Sequence, residues 1–167
     1  PMNGIVSYGV HLPYWRLDRT AISSTLGSGG GLGYRTVASY DEDTTSMGVE
    51  AGRRAMAVMA PGWGGPGILA FATTSPGYVD KTNATAMHAA LRLDDRVPAF
   101  DVGSAARSGI AASIIAANGG LAVLSDIRTG RPGSADETNG GDAAVALIMG
   151  DDAVIAARVD AASDEIS

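Results

Sequence analysis

The chain of 167 residues is 46% hydrophobic and 18% charged, enough apolar content to bury one core and too little charge for a disordered segment. Its net charge of −6, with eleven arginines and the single Lys81 in no basic run, makes it a poor partner for nucleic acid or anionic lipid. The lack of cysteine excludes thiolate catalysis, disulfides and Cys-ligated zinc, and no apolar run nears the ~20 residues of a membrane span.

The opening Pro1-Met2-Asn3-Gly4 carries no basic-then-apolar leader, so a cytoplasmic location is expected. Residues 4–10 read as a first strand, closed by Pro13. The run GSGGGLG at 27–33 is a loop: its spacing misses G-x-G-x-x-G and no Gly-Lys-Ser/Thr follows, so it is not a phosphate cradle. Asp41, Glu42 and Asp43 precede Thr44-Thr45-Ser46 and an apolar stripe of Met47, Ala51, Ala55 and Val58. That is a helix start with negative charge at its positive end, and Pro61 and the glycines around Trp63 stop it.

Residues 68–73 form a short, nearly continuous apolar run, as in a strand buried on both faces. Asn83 is placed as the cap of a second helix with Met87, Ala90 and Leu91 inward. Residues 97–102 read as the next strand. A small-residue helix follows from about Ala105, with Ile110, Ile114 and Ala117 inward and Asn118-Gly119-Gly120 closing it. Residues 121–125 make another strand, and a Gly-rich loop runs on to Gly133. Residues 143–149 and 153–159 then read as an antiparallel hairpin around Gly150-Asp151-Asp152. The alternation predicts one α/β domain over residues 1–167 with a mostly parallel sheet. Low charge and a mean hydropathy of +0.11 point to apolar surface covered by another chain.

Three segments resemble the thiolase superfamily, and within it the 3-hydroxy-3-methylglutaryl-CoA synthases, with a further similarity to 3-oxoacyl-acyl-carrier-protein synthase III. They are GIVSYGVHLPYWRLDRTAI, YDEDTTSMGVEAGRRAM and SDIRTGRPGSADETNGGDAAVALIMG, in family order along nearly the whole chain. The resemblance implies a thiolase-like half: a five-stranded mixed sheet with helices on both faces. A complete member has two such halves in an α-β-α-β-α arrangement, and this chain corresponds to the first.

In the family the nucleophilic Cys sits five residues after an Asp that ends the third strand, with a Gly three residues further on. Asp101 and Gly109 hold that register here, and the Cys position is Ala106. The position suits a nucleophile, because a helix N-terminus lowers a thiol's pKa and helps hold an oxyanion. The family's acidic Glu falls on Thr74, and its His comes from the second half. Ser104 and Ser108 flank Ala106 outside any G-x-S-x-G elbow and with no base assigned.

The two histidines are His11, after the first strand, and His88, read as a packed or surface residue. Asp126, Asp136 and Asp142 are read as solvated loop acids, Trp15 and Trp63 as packing residues, and no spacing suggests a metal site. The resemblance thus implies a non-catalytic half, a pseudoenzyme that completes or scaffolds an acyl-CoA condensing or acyl-transfer assembly. Two alternatives stand beside it: an enzyme whose site a partner half completes, and a CoA-thioester binding module without turnover. Arg16, Arg19, Arg107 and Arg131 are the candidate CoA contacts; no other cofactor is expected. The implied partners are a second thiolase-like half, a copy of this chain, or an OB-fold, zinc-ribbon protein.

Overall fold

The computed structural model describes residues 3–103 and 105–157. Strands β1 (Gly4–His11), β4 (Leu69–Ala72), β5 (Ala99–Asp101), β6 (Leu121–Asp126) and β7 (Ala143–Gly150) form the expected mixed sheet, and the two-residue β8 (Ala156–Ala157) extends it. The order is β5-β4-β6-β7-β1-β8. Strands β5, β4 and β6 are parallel, whereas β7 runs antiparallel to both β6 and β1.

The expected terminal hairpin does not form. Strand β7 has β6 on one edge and β1 on the other, so the chain after Gly150 finds no free edge there. It passes to the outer edge of β1, where Ala156 pairs with Ile5. Residues 158–159 of the expected strand lie outside the described residues.

One face of the sheet is covered by α2 (Thr44–Ala57) and α3 (Asn83–Leu91). Helix α2 begins with a reciprocal cap: the Ser46 amide donates to Asp43 Oδ1 at 2.6 Å, and the Asp43 amide donates to Ser46 Oγ at 2.8 Å. Met47, Ala51 and Ala55 face the core as the stripe requires, whereas Val58 is the exposed C-cap. The helix lies close on β1, because a Cβ at Gly9 would run into the Ala51 carbonyl oxygen. With Leu69, Phe71, Leu121, Val123 and Ile148 this face makes the larger core.

Helix α3 is capped from outside its own chain segment. Its N-cap, Thr82, makes no side-chain cap bond; Asn83 stands inside the first turn, correcting the expected cap. The Asp101 carboxylate at the end of β5 instead accepts from the Asn83 and Ala84 amides at 2.8 and 2.7 Å. Ala90 is exposed rather than inward.

Among the described residues the opposite face carries one helix, α4 (Ser108–Ile115), packed over β4 and β6. Its inward residues are Ser108, Gly109 and Ala112, and Ile110 and Ile114 point out, the reverse of the expected orientation; Ala117 beyond the helix is buried as expected. The sheet beneath presents Ala70, Ala72 and Ala122 and admits only a close, small-residue approach. At Gly109 a Cβ would run into the Leu124 side chain.

A separate two-stranded ribbon of β2 (Trp15–Asp18) and β3 (Tyr34–Val37) holds α1 (Arg19–Leu26) and the glycine loop, and α5 (Ala135–Asn139) completes the chain order. None of these four elements was expected from the sequence.

Candidate functional site

Parallel, in-register strands send their following loops out at the same sheet end. Ala72 of β4 stands beside Leu124 of β6, so Thr73-Thr74 and Asp126 emerge side by side. Strand β5 ends nearby at Asp101, and the chain then folds back through Ala105-Ala106-Arg107 into α4. Thr73, Thr74, Asp126, Ala105 and Ala106 thereby line one cavity of about 40 Å³, floored by Ala72, Gly109 and Leu124. The two positions singled out by the resemblance, Ala106 and Thr74, thus share a wall.

The polar chemistry of this cavity is turned inward on itself. Asp126 Oδ1 accepts from the Thr74 amide at 2.6 Å, the Thr74 hydroxyl at 2.9 Å and the Thr73 hydroxyl at 3.2 Å. Both threonine hydroxyls donate to a carboxylate and are not activated as nucleophiles. Ala106 offers a methyl group just before the N-cap of α4. Ser108 is buried, with its Oγ accepting from the Ala105 amide at 3.2 Å, so it serves the turn. Ser104 lies outside the described residues. Among the described residues that line it, the cavity has one carboxylate, no imidazole and no free hydroxyl, which permits binding of a small polar group but provides no nucleophile–base pair.

The remaining predicted residues are dispersed. His11 Nε2 lies 2.6 Å from Glu42 Oε1, tying the end of β1 to the segment before α2. Burial pushes the Glu42 carboxyl up; the Ser39 amide and His11 outweigh it and hold the carboxyl below its ordinary value. His88 is half-buried and meets the Asp94 carbonyl at 3.1 Å. The Arg16 guanidinium donates to the carbonyls of Pro13, Tyr14 and Trp15 in its own loop. Arg19 donates to Gly30 at 2.7 Å and Asn139 Oδ1 at 3.0 Å, fastening the glycine loop to α5. Arg107 is the exposed N-cap of α4, and Arg131 is exposed in the loop before α5. Trp15 is exposed, not a packing residue, and stands edge-on to Tyr14 with ring centroids 5.4 Å apart; Trp63 packs against the larger core as expected.

The three loop acids have separate surroundings. Asp126 faces the cavity, Asp136 pairs with Arg128 at 2.7 Å, and Asp142 is buried rather than solvated. Asp142 accepts from the Ala38 and Arg128 amides at 2.7 and 2.8 Å and lies 3.5 Å from Arg35. Arg35 also donates to the carbonyls of Arg128 and Glu137 at 2.7 and 2.8 Å, so one buried guanidinium organises the loop after β6. Sequence reasoning missed this pair and the network of Thr45, Asn83 and Asp101. Both join residues far apart in the chain, and only the Asn and Asp residue types hinted at them. Among the described residues no three His, Asp or Glu side chains group to hold a metal ion, and no helix is long and apolar enough to cross a membrane.

No protein-family model matches the chain. The hydroxymethylglutaryl-CoA synthase of Methanosphaera stadtmanae is 32% identical over 171 aligned residues, covering 93% of this chain and 49% of that protein. A crystal structure of an HMG-CoA synthase complexed with CoA superposes with a TM-score of 0.80 at 18% identity, covering 91% of this chain and 42% of that one. The 3-oxoacyl-(acyl carrier protein) synthase III of Pseudomonas aeruginosa superposes at 0.74 and 20% identity, with 89% and 50% covered. The chain spans about half the length of the curated relatives it matches.

Proposed function

We infer that this chain, thiolase-like in fold and HMG-CoA-synthase-like in sequence, acts as a non-catalytic half that completes or scaffolds an acyl-CoA condensing or acyl-transfer assembly. The observation that carries this reading is the shared cavity of Ala106 and Thr74. The strand ends and helix start that would present a nucleophile and an acid are in place, and the side chains at both positions lack that chemistry. Among the described residues no neighbour takes over, since the hydroxyls of Thr73 and Thr74 and the Oγ of Ser108 are engaged in local hydrogen bonds.

Incubation with labelled acetyl-CoA tests the reading. The intact mass of the protein should stay unchanged and thioester hydrolysis should match the protein-free blank. A stable acyl adduct on Ser108 or Ser104, or turnover by the chain alone, overturns it. Equilibrium binding of CoA separates a scaffold from a binding module. The four candidate arginines support the module weakly, because Arg16 and Arg19 already bond to protein carbonyls.

A further inference from the structure

His11, Trp15 and Arg16, which take no part in the cavity at Ala106, line a second and larger cleft with Tyr14, Glu42 and Arg54, about 760 Å³ in volume. That is inside the ~300–1,000 Å³ of small-molecule sites. The cleft opens where β1 ends, on the face that α2 covers: Gly9 packs against α2, and His11, two residues on, points to the same side. Its two arginines are held in place by the protein itself. Arg54 reaches from α2 and donates through Nη1 to the Val10 carbonyl. Arg16 donates through Nη1 to the carbonyls of Pro13, Tyr14 and Trp15. Among the described residues, neither Nε nor Nη2 of either guanidinium meets a protein acceptor. The edge that grips an oxyanion with two parallel bonds is therefore free on both, and little side-chain freedom remains to be lost on binding.

The carboxylate that lines the cleft is already engaged. Glu42 Oε1 lies 2.6 Å from His11 Nε2, and Oε2 accepts from the Ser39 amide at 2.7 Å. Two guanidiniums against one engaged carboxylate make a positive spot on a chain of net charge −6. The rest of the lining is largely aromatic. Tyr14 and Trp15 are 83% and 59% exposed and stand edge-on, which leaves ring faces open to a third planar group. We propose that the cleft binds a small aromatic oxyanion, a planar ring carrying a carboxylate or a phosphate, with the anion on Arg16 and Arg54 and the ring on Trp15. Such a site is separate from the cavity at Ala106 and independent of the scaffold role.

Calorimetric titration of the full chain with phenyl phosphate and with phenylacetate should give saturable binding of at least one, and the tighter of the two identifies the anion. Inorganic phosphate and benzyl alcohol, which carry the charge and the ring separately, should bind at least tenfold more weakly. Arg54→Gln and Trp15→Ala should each weaken binding of the aryl probe at least tenfold with an unchanged far-ultraviolet spectrum. Arg53→Gln, on α2 outside the cleft and paired with Glu50, should bind as the parent does. Arg54 also fastens Val10, so if its variant fails to fold, Trp15→Ala at an exposed position decides alone. No saturable binding of either probe at millimolar concentration, equal binding of inorganic phosphate, or binding indifferent to Trp15→Ala overturns the site. An acyl adduct formed from acetyl-CoA sinks the non-catalytic reading and leaves the site intact.

Discussion

Thr74 donates twice to one oxygen of Asp126, through its amide at 2.6 Å and its hydroxyl at 2.9 Å. The loop after β4 is thus held to the end of β6 by a side chain at the position where the resemblance places an acid. Asp126→Ala should strand the Thr73 and Thr74 donors and cost about 1–3 kcal/mol of stability, read from the urea midpoint. Asp126→Asn, which keeps an acceptor oxygen, should cost less. Equal losses for both would show that charge rather than acceptance holds the loop.

Arg35 and Asp142 form the most deeply buried ion pair among the described residues, with side chains 9% and 3% exposed. Arg35→Met removes the cation that pairs with that carboxylate and three carbonyl contacts. Breaking one side of such a pair costs about 3–5 kcal/mol. Arg35→Lys should recover little, because an ammonium lacks the fork that reaches the Arg128 and Glu137 carbonyls together. Chemical denaturation of the two variants measures both effects.

The His11–Glu42 contact carries a pH signature. The Glu42 carboxyl is held below its ordinary 4.5 in the folded chain, so its contribution is complete above that value and is lost as pH falls through the lowered one. The stability gap between the unmutated chain and Glu42→Gln should therefore be full at pH 7 and shrink in the acid range below pH ~4.5. Urea midpoints across that range give the curve. A gap that widens on acidification contradicts the assignment.

Ala106→Cys should fold within about 0.5 kcal/mol of the parent, because residue 106 is exposed in the turn before α4. One thiol should react with Ellman's reagent. Acetyl-CoA hydrolysis should remain at the blank, since the cavity gains a nucleophile without an imidazole or a free acid.

The α/β class, the main strands and the capped start of α2 were legible because their signals are local: apolar runs, an Asp-to-Ser cap and glycines at helix ends. The placement of Ala106 and Thr74 came from the resemblance, and the structure adds that they line one cavity. What failed was decided by neighbours. The sequence puts the larger apolar Ile110 and Ile114 inward, yet the sheet accepts only Gly109 and Ala112 at that distance. The terminal hairpin was plausible until β1 occupied the edge it needed. The ribbon of β2 and β3 is exposed throughout β2 and gives no core-facing alternation to read. Asp142 looked like any loop acid, since nothing near it in sequence announces Arg35.

The partner of β1 lies at the far end of the described chain: Gly4 meets Gly150, and His11 meets Ala144. During synthesis the first strand emerges with its backbone groups unpaired and waits while more than a hundred residues follow it out of the ribosome. Only then can β7 close between β6 and β1, and β8 pair with Gly4 and Ile5 on the outer edge of β1. Closure of so long a loop makes sheet completion a late, slow event. Until it happens the nascent chain carries an open, uncharged edge strand, the kind of surface that chaperones bind and that aggregation exploits.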